Sequence, residues 1–305
     1  MLGLGTWGLS GESYGFISKT KIKNIILNSI KNKIYFLDTA PIYGNGKVEY
    51  LLGEILKNSE LNKKVIICSK CGMLPHKGLN PKQNFTIKYL KKDIKNIQKR
   101  LRRNIIDILL LHSPPVNILK NKKIFSFLKK IKRNRDIKNF GVSLKKPEDL
   151  LAISNLKDLD FIEFNFNLMD QRFNQLNLRK IVKKNKIKTI CRTPLGFGFL
   201  SNKKIKLKNL SRNDHRKYWP KSQINAWNSG KKKFYHFRDK YKFNDLSELA
   251  IAFCCNQNFD YVIPGMYNLG EIKKNILASK KKIKDFDLKK IYEIYSNHEK
   301  DFFIK

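Results

Sequence analysis

The fold of this chain is indicated by three stretches, 34-IYFLD-38, 65-VIICSK-70 and 108-ILLLH-112. Each stretch is a short apolar run that ends in a polar residue, and these residues are Asp38, Lys70 and His112. Short runs rich in Ile, Val and Leu are typical of buried parallel strands when helical stretches separate them. In a parallel barrel the carboxyl ends of the strands face one mouth. We therefore expect these three side chains to converge there with Tyr43, which lies in the loop after the first stretch.

The same alternation continues along the chain. The predicted strands span residues 2–6, 34–38, 65–69, 107–111, 137–142, 161–166, 187–192 and 261–263. Apolar residues at helical spacing predict helices at residues 19–31, 48–57, 86–103, 118–131, 176–184, 246–255, 271–278 and 288–295, and Pro147 can start another. Eight such units predict a (β/α)8 TIM barrel with C-terminal helices, folded as one domain over residues 1–305. An open doubly wound sheet is the alternative, but no dinucleotide fingerprint follows the first strand.

The longest irregular stretch, residues 201–240, follows the seventh predicted strand. Loops of this length in compact folds are usually functional. Its aromatic residues suggest a partly ordered lid, although an ordered insert without a catalytic role fits equally well. Within this loop, Asp214-His215-Arg216 has two interpretations, contact with a substrate or mutual pairing of charges, and we favour the pairing.

The net charge of +39 raises nucleic acid as a partner. The lysines recur along the whole chain on predicted helix exteriors, as in Lys91, Lys92, Lys95 and Lys99, which indicates a biased composition rather than a focused patch. We therefore expect no specific nucleic-acid partner. No apolar run approaches the roughly 20 residues that cross a bilayer, so no membrane partner is expected either.

The cysteines indicate a reducing compartment. There are 5 of them, an odd number, and several lie inside apolar runs, which predicts reduced thiols in the cytoplasm rather than a disulfide framework. The first residues open directly into an apolar strand pattern with no basic region and no cleavage site, so no signal peptide is expected. Cys68 and Cys71 have C-x-x-C spacing, but no second pair supplies the other ligands of a zinc site, so no metal is expected.

The four polar residues at the predicted mouth form a proton-donating set. A tyrosine has a pKa of about 10, and a nearby lysine ammonium lowers that pKa. The carboxylate of Asp38 would keep Lys70 protonated, and His112 would hydrogen-bond a carbonyl oxygen. Such a set suits carbonyl reduction, with Tyr43 as acid, or the reverse oxidation of an alcohol. It contains no hydride source, so a cofactor must supply the hydride.

The segment 38-DTAPIYG-44, followed by Glu49 and 52-LG-53, resembles the signature of the aldo/keto reductase family. Further segments continue the resemblance in order along the whole chain: 4-LGTWG-8, 111-LHSP-114, 141-GVS-143, 193-TPLG-196 and 263-IPG-265 with Asn275. This family has a (β/α)8 barrel that binds NADPH, less often NADH, at its C-terminal mouth. The resemblance implies Tyr43 as general acid, Asp38 and Lys70 as tuners of its acidity, and His112 as the residue that orients the carbonyl.

The resemblance also implies binding sites. Thr6 and Trp7 would lie beside the nicotinamide and the pyrophosphate, and Ser143 and Glu163 would hold the carboxamide. Asp38 would also border the cofactor. The residues expected to line the nicotinamide face and pyrophosphate are Arg192, Thr193, Pro194, Leu195, Gly196 and Gly198. Those expected around the adenosine end are Pro264, Gly265, Met266, Glu271 and Asn275. The residues expected to contact substrate are Trp7, Tyr43 and His112.

Several positions depart from the family pattern. Leu144 replaces the usual Asn, and Glu163 stands where Gln is usual, although a carboxylate still accepts hydrogen bonds. Gly265 and Glu271 occupy positions where a basic pair often grips the 2′-phosphate. Glu271 would repel that phosphate and could accept from ribose hydroxyls. Lys273 and Lys274 would offset this effect, so NADPH is expected, with NADH as the alternative.

Three questions stay open at this level. Relatives usually carry a hairpin before the first strand, so either the barrel floor is less covered or the start has been placed late. Substrate choice is expected to depend on residues 73–82 and 201–240, which carry no motif that identifies a substrate, and the oligomeric state is not indicated. The alternative function is a non-catalytic regulatory protein that binds a nicotinamide nucleotide on the same fold.

Overall fold

A computed structural model describes residues 1–57, 60–75, 81–175 and 177–303. Within these residues eight parallel strands pair in chain order. They are β1 Leu4–Gly5, β2 Phe36–Asp38, β3 Ile66–Cys71, β4 Ile106–His112, β5 Ile137–Ser143, β6 Phe161–Asn165, β7 Lys188–Arg192 and β8 Tyr261–Ile263. Leu2 forms a parallel bridge with Val262, and the Gly5 amide donates to the Pro264 carbonyl at 3.0 Å. The first and last strands are thereby joined, and the sheet forms a nearly closed barrel.

Helices surround the barrel. The α-helices in the described part of the chain are α1 Lys19–Lys31, α2 Lys47–Leu56, α3 Leu61–Lys64, α4 Ile87–Leu101, α5 Val116–Leu119, α6 Lys122–Arg133, α7 Arg172–Gln175, α8 Leu178–Lys184, α9 Lys221–Gly230, α10 Tyr235–Lys240, α11 Leu246–Cys255, α12 Leu269–Lys280 and α13 Asp285–Phe302. Helix α4 shows why they form. The Thr86 hydroxyl accepts from the Tyr89 amide at 3.3 Å at its start, and Leu90, Ile94 and Ile97 bury one face. None of the described helices is long and apolar enough to span a membrane.

The predicted (β/α)8 barrel is confirmed, and the open doubly wound sheet is wrong. Several predicted boundaries differ. The helix expected at residues 118–131 is divided into α5 and α6, because Asn121 accepts from the Lys123 amide at 3.0 Å and starts a new helix there. Pro147 starts a 3₁₀ helix, Pro147–Ala152, rather than an α-helix. Residue 176, the predicted start of another helix, lies outside the described residues, as do residues 76–80 of the predicted substrate loop.

The interior of the barrel is a separate apolar layer. It consists of Phe36, Cys68, Ile108, Leu110, Phe161, Ile190, Tyr261 and Ile263. The rings of Phe36 and Tyr261 stack across it with their centroids 3.8 Å apart. This layer fills the barrel below the carboxyl ends of the strands, so the residues at those ends rest on apolar side chains.

Candidate active site

Strand alternation places the polar residues directly above the apolar layer. Successive side chains of a strand point to opposite faces, so the residue two positions beyond an interior residue points into the barrel as well. The pairs along the chain are Phe36 with Asp38, Cys68 with Lys70, Leu110 with His112, Phe161 with Glu163, and Ile190 with Arg192. Five strands therefore each contribute one charged or titratable side chain to the mouth. Asp38, Lys70, His112 and Glu163 are buried there.

Lys70 is the centre of this group. Its Nζ donates to Asp38 Oδ1, to the Thr39 carbonyl at 3.1 Å and to the Tyr43 hydroxyl at 3.5 Å. Glu163 Oε2 lies 3.3 Å from the same nitrogen. The Lys70 side chain is fully buried, so its charge is balanced by protein groups alone. The ammonium is therefore fixed against the phenol that sequence analysis assigned as the acid.

The pKa values reflect burial and these neighbours. Burial alone would lower the pKa of Lys70, but the carboxylates of Asp38 and Glu163 raise it well above its usual range. Burial, followed by the nearby Glu163 charge, raises the pKa of Asp38 to about 8 against the opposing effect of Lys70. Burial also raises the pKa of Tyr43, which Lys70 lowers and Asp38 and Glu163 raise. The predicted influence of Lys70 on Tyr43 is thus present, but burial and two carboxylates outweigh it.

His112 is a neutral imidazole at the mouth. Burial, together with the charges of Lys70 and Arg192, lowers its pKa well below its usual range. Its ring meets that of Tyr43 edge to face, with centroids 6.3 Å apart. Nδ1 is buried and has no hydrogen-bond partner among the described residues. A neutral ring with an unused nitrogen beside the phenol can hydrogen-bond an oxygen placed between them.

The opposite side of the mouth contains a second charged group. Glu163 Oε1 accepts from the Ser143 hydroxyl at 3.0 Å and lies 3.9 Å from Arg192 Nη1. Arg192 Nη2 donates to the Leu144 carbonyl at 2.8 Å. Arg192 Nε and Glu163 Oε2 are buried without hydrogen-bond partners in the part of the chain that the structure describes. This side therefore holds one unused donor atom and one unused acceptor atom.

A cavity of about 400 Å³ opens above Asp38, Tyr43, Glu163 and Arg192, whereas Lys70 and His112 do not line it. Its lining comprises Gly5, Trp7, Gly8, Tyr14, Asp38, Tyr43, Glu163, Arg192, Thr193, Pro194, Leu195, Phe197, Gly198, Arg216, Ile263, Gly265 and Tyr267. Asp38, Cys68 and Glu163 also offer three possible metal-ligand atoms within 4.8 Å of one another. The ammonium of Lys70 already contacts both of those carboxylates, so a cation fills that position.

Comparison with known proteins gives a family match over most of the chain. The sequence model described as "Aldo/keto reductase family" matches residues 1–296. The chain belongs to the aldo/keto reductase family. It is 24% identical over 295 residues to a probable aldo-keto reductase 1 of Glycine max, a match that covers 96% of this chain and 84% of the relative.

Two solved structures support the barrel fold of this aldo/keto reductase. The glycerol dehydrogenase of Gluconobacter oxydans superposes with a TM-score of 0.80 at 20% identity, covering 97% of this chain and 91% of the other. An aldo-keto reductase of Klebsiella pneumoniae in complex with NADPH gives a TM-score of 0.67 at 16% identity, covering 96% and 90%. At these identities the likeness concerns the fold. The family match identifies the chain as an oxidoreductase.

The predicted cofactor residues of this reductase fall into two groups. Those that line the cavity are Trp7, Asp38, Glu163, Arg192, Thr193, Pro194, Leu195, Gly198 and Gly265. Thr6 and Ser143 lie behind this surface, where the Thr6 hydroxyl donates to the Asp38 carbonyl at 2.7 Å and Ser143 supports Glu163. The others that do not line it are Gly196, Pro264, Met266, Glu271 and Asn275. Glu271 is held by its own loop, because its carboxylate accepts from the Tyr267 amide at 2.8 Å and from Asn268 Nδ2 at 2.9 Å.

Sequence reasoning missed the aromatic rim of the cavity. The rings of Tyr14, Phe197 and His215 lie around Trp7, with centroids 4.6 to 6.0 Å from it. Phe197 stands between two glycines, Gly196 and Gly198, so the predicted motif contained a signal for it. Tyr14 carried no such signal, because its position depends on a bridge to Asp214 in the distant 201–240 loop.

That loop is ordered and reaches the cavity. It contains α9 and α10 rather than irregular structure alone. The predicted pairing of charges is present, because Arg216 donates to both Asp214 oxygens at 2.9 and 2.6 Å. Arg216 Nη1 also donates to the Phe197 carbonyl at 3.0 Å and lines the cavity. A Cβ at Gly198 would stand 3.0 Å from that nitrogen, and its φ of +88° also favours glycine.

Proposed function

We propose that this aldo/keto reductase interconverts a small-molecule aldehyde, ketone or sugar-like carbonyl and its alcohol with a nicotinamide cofactor, and that Tyr43 is the proton donor. The observation that carries the proposal is the position of the Lys70 ammonium, in contact with both the Tyr43 hydroxyl and the Asp38 carboxylate. An ammonium beside a phenol stabilises the phenolate that forms when the proton leaves. The contact thus couples proton donation by Tyr43 to a fixed positive charge.

Each residue of the set has one task in reduction. His112 hydrogen-bonds the carbonyl oxygen, and Tyr43 donates its proton to that oxygen as negative charge develops on it. Lys70 stabilises the resulting phenolate, and Asp38 holds the ammonium in place. When bound, the reduced nicotinamide supplies the hydride that completes the alcohol. In oxidation the Tyr43 phenolate takes the proton back.

The residues present fit a nicotinamide cofactor. Glu163 Oε2 is a buried acceptor without a hydrogen bond among the described residues, which suits the NH2 group of the carboxamide. Ser143 fixes the same carboxylate through its other oxygen. Arg216 and the Gly198 turn offer a cation and an open backbone, which suit an anionic pyrophosphate.

We propose NADPH as the cofactor, with NADH as the alternative. The Klebsiella pneumoniae relative was solved with NADPH, which supports the first. The contacts at the adenosine end support the second. Glu271 is an acidic residue where a basic one is usual, and its carboxylate accepts from the Tyr267 amide at 2.8 Å. Lys274, one of the two expected compensating cations, lies 3.4 Å from Glu248 and 3.8 Å from Asp245.

The test is to replace Tyr43 by Phe and to measure binding and turnover separately. We expect Tyr43→Phe to bind NADPH and NADH as the wild type does in a nicotinamide-fluorescence titration. Turnover on a panel of carbonyl compounds should fall by about 10² to 10⁴, because the general acid is lost. Tyr50→Phe makes the same change at an exposed tyrosine and should retain full activity.

Two outcomes would contradict parts of this proposal. Full turnover by Tyr43→Phe would remove Tyr43 as the acid. Tight cofactor binding by the wild type without turnover of any carbonyl or alcohol would favour the non-catalytic regulatory alternative. The single-domain organisation of residues 1–305 and the cytoplasmic location stay predictions.

A further inference from the structure

The Lys70 ammonium lies against two carboxylates, and Glu163 is the one that the proton-donating set does not require. Glu163 is 1% exposed, and its Oε2 stands 3.3 Å from Lys70 Nζ without a hydrogen bond. Asp38 and the Thr39 carbonyl already accept hydrogen bonds from that nitrogen. Glu163 therefore acts on Lys70 through its charge rather than through a directed bond.

A neutral side chain would meet the other needs of this position. An amide oxygen could accept from Ser143 and from a carboxamide as well as a carboxylate does. The carboxylate differs from an amide in its charge, and a nearby negative charge raises the energy needed to remove a proton from Lys70 or Tyr43. The titratable and charged groups that face Glu163 across the mouth are Asp38 on β2, Tyr43 in the loop after β2, Cys68 and Lys70 on β3, His112 on β4 and Arg192 on β7.

We propose that the Glu163 carboxylate holds the proton on the Tyr43–Lys70 pair and so sets the pH range of each direction of the reaction. This inference rests on the proposed function. Reduction uses the Tyr43 phenol, and oxidation uses the phenolate. A buried negative charge beside Lys70 opposes loss of the proton from either group, so it extends reduction to higher pH and delays oxidation. Glu163 is thus a positioning residue for a proton rather than the donor itself.

The neighbouring cation opposes this effect from the other side. Arg192 Nη1 lies 3.9 Å from Glu163 Oε1, and Arg192 also favours the phenolate of Tyr43. Two cations, Lys70 and Arg192, thus face two carboxylates, Asp38 and Glu163. Removing Glu163 or Arg192 should displace the pH dependence in opposite directions. If these residues served only packing, the pH profiles of the two variants would not shift in opposite directions.

The decisive variant is Glu163→Gln, which keeps size and an acceptor oxygen but removes the charge. At saturating cofactor, we expect the alkaline limb of carbonyl reduction to move to lower pH by about one unit or more. The acid limb of alcohol oxidation should move in the same direction. Arg192→Met should move both limbs to higher pH, and Glu163→Asp, which keeps the charge, should restore the wild-type profile.

A second readout needs no cofactor. In protein labelled with ¹³C at the tyrosine Cζ, the Tyr43 signal is identified by its absence in Tyr43→Phe. That signal should begin to titrate at lower pH in Glu163→Gln than in the wild type. Glu49→Gln makes the same substitution at a buried glutamate outside the mouth and should leave both the signal and the rate profile unchanged.

The two proposals fail in different ways. If Tyr43→Phe is inactive while Glu163→Gln and Arg192→Met keep the wild-type pH profiles, the role of Glu163 is wrong and the acid is right. If Tyr43→Phe is fully active, the assignment of Tyr43 as the acid is wrong, whatever the pH profiles of the other two variants show. Should Glu163→Gln fail to fold, an Arg192→Met profile that does not move to higher pH overturns the inference.

Discussion

The two ends of the barrel bury charged residues in different ways. At the mouth, His112 Nδ1, Glu163 Oε2 and Arg192 Nε have no hydrogen-bond partner among the described residues. At the floor, β4, β6 and β8 each have an aspartate adjacent to their first residue, and it accepts from a backbone amide of the preceding strand. The pairs are Ile67 with Asp107 at 3.0 Å, Phe140 with Asp160 at 3.0 Å and Thr189 with Asp260 at 2.8 Å.

The floor carboxylates also receive further donors. Lys138 donates to Asp107 at 2.7 Å, and Lys132 donates to both oxygens of Asp160 at 2.6 and 2.7 Å. A buried polar atom without a partner costs free energy, whereas a paired one contributes a modest stabilisation. The floor carboxylates, which have several donors each, therefore contribute to stability. The mouth groups keep atoms free for a molecule that the chain itself does not supply.

The largest effect is expected at His112. If replacing it lowers stability, as replacing a floor aspartate should, the difference between mouth and floor does not hold. His112→Leu removes a buried nitrogen that has no partner, so the free energy of unfolding should stay unchanged or rise by about 1 kcal/mol. Turnover should fall at least about hundredfold, because the carbonyl oxygen loses its hydrogen bond. Urea unfolding and steady-state kinetics measure the two quantities.

The control for this variant is His236→Leu, which makes the same change at an exposed histidine on α10. It should alter neither turnover nor stability appreciably. A His112→Leu protein that is strongly destabilised yet fully active would place His112 with the structural residues of the floor.

The residues at the mouth could be predicted from the sequence more readily than the contacts between them. Asp38, Lys70 and His112 each follow a buried apolar run, and strand alternation then fixes the direction of their side chains. Local sequence was sufficient for them because side chains alternate between the two faces of a strand every residue, so a known interior position fixes the next one. The predicted role of Glu163 beside the carboxamide did not include its contact with Lys70, which joins β3 to β6 and depends on the closure of the barrel.

The adenosine side shows a different reason for the limits of prediction. Glu271, which is expected near the ribose, lies three residues after Asn268, and Asn268 caps the start of α12 by accepting from the Glu271 amide at 2.9 Å. The spacing of these two residues was visible in the sequence. The long loop was harder, because the position of Arg216 is set by Phe197 and Tyr14, which come from distant parts of the chain.

The second prediction concerns the floor. Asp160→Ala removes the acceptor of the Phe140 amide and both bonds from Lys132, so the free energy of unfolding should fall by about 2 kcal/mol. The folded fraction should keep its turnover, because Asp160 lies at the opposite end of the strands from the mouth. Asp136→Ala, which removes a surface pair with the exposed Lys95, should leave stability unchanged. Loss of turnover in folded Asp160→Ala would show that the two ends are not independent.

Glu49 is buried like the mouth groups but paired like the floor groups, so it tests whether burial or pairing decides how a carboxylate affects stability. Its oxygens accept from the Ser69 hydroxyl at 2.5 Å and from Arg100 Nε at 2.6 Å. Burial nevertheless raises the pKa of Glu49 to about 7, whereas an unfolded glutamate has a pKa of about 4.3. Between these values the native state binds more protons than the unfolded chain, so stability falls as pH rises.

Urea unfolding at about pH 5, 6 and 7 measures this dependence. Relative to Glu49→Gln, the wild type should lose up to about 1.4 kcal/mol of unfolding free energy per pH unit in this range. The amide cannot titrate, so its curve lacks this contribution. Equal slopes in the two proteins would mean that the pairing with Ser69 and Arg100 outweighs burial. Glu49 would then behave like the floor carboxylates. The presence of hydrogen-bond partners, rather than burial, would distinguish the stabilising carboxylates from the mouth groups.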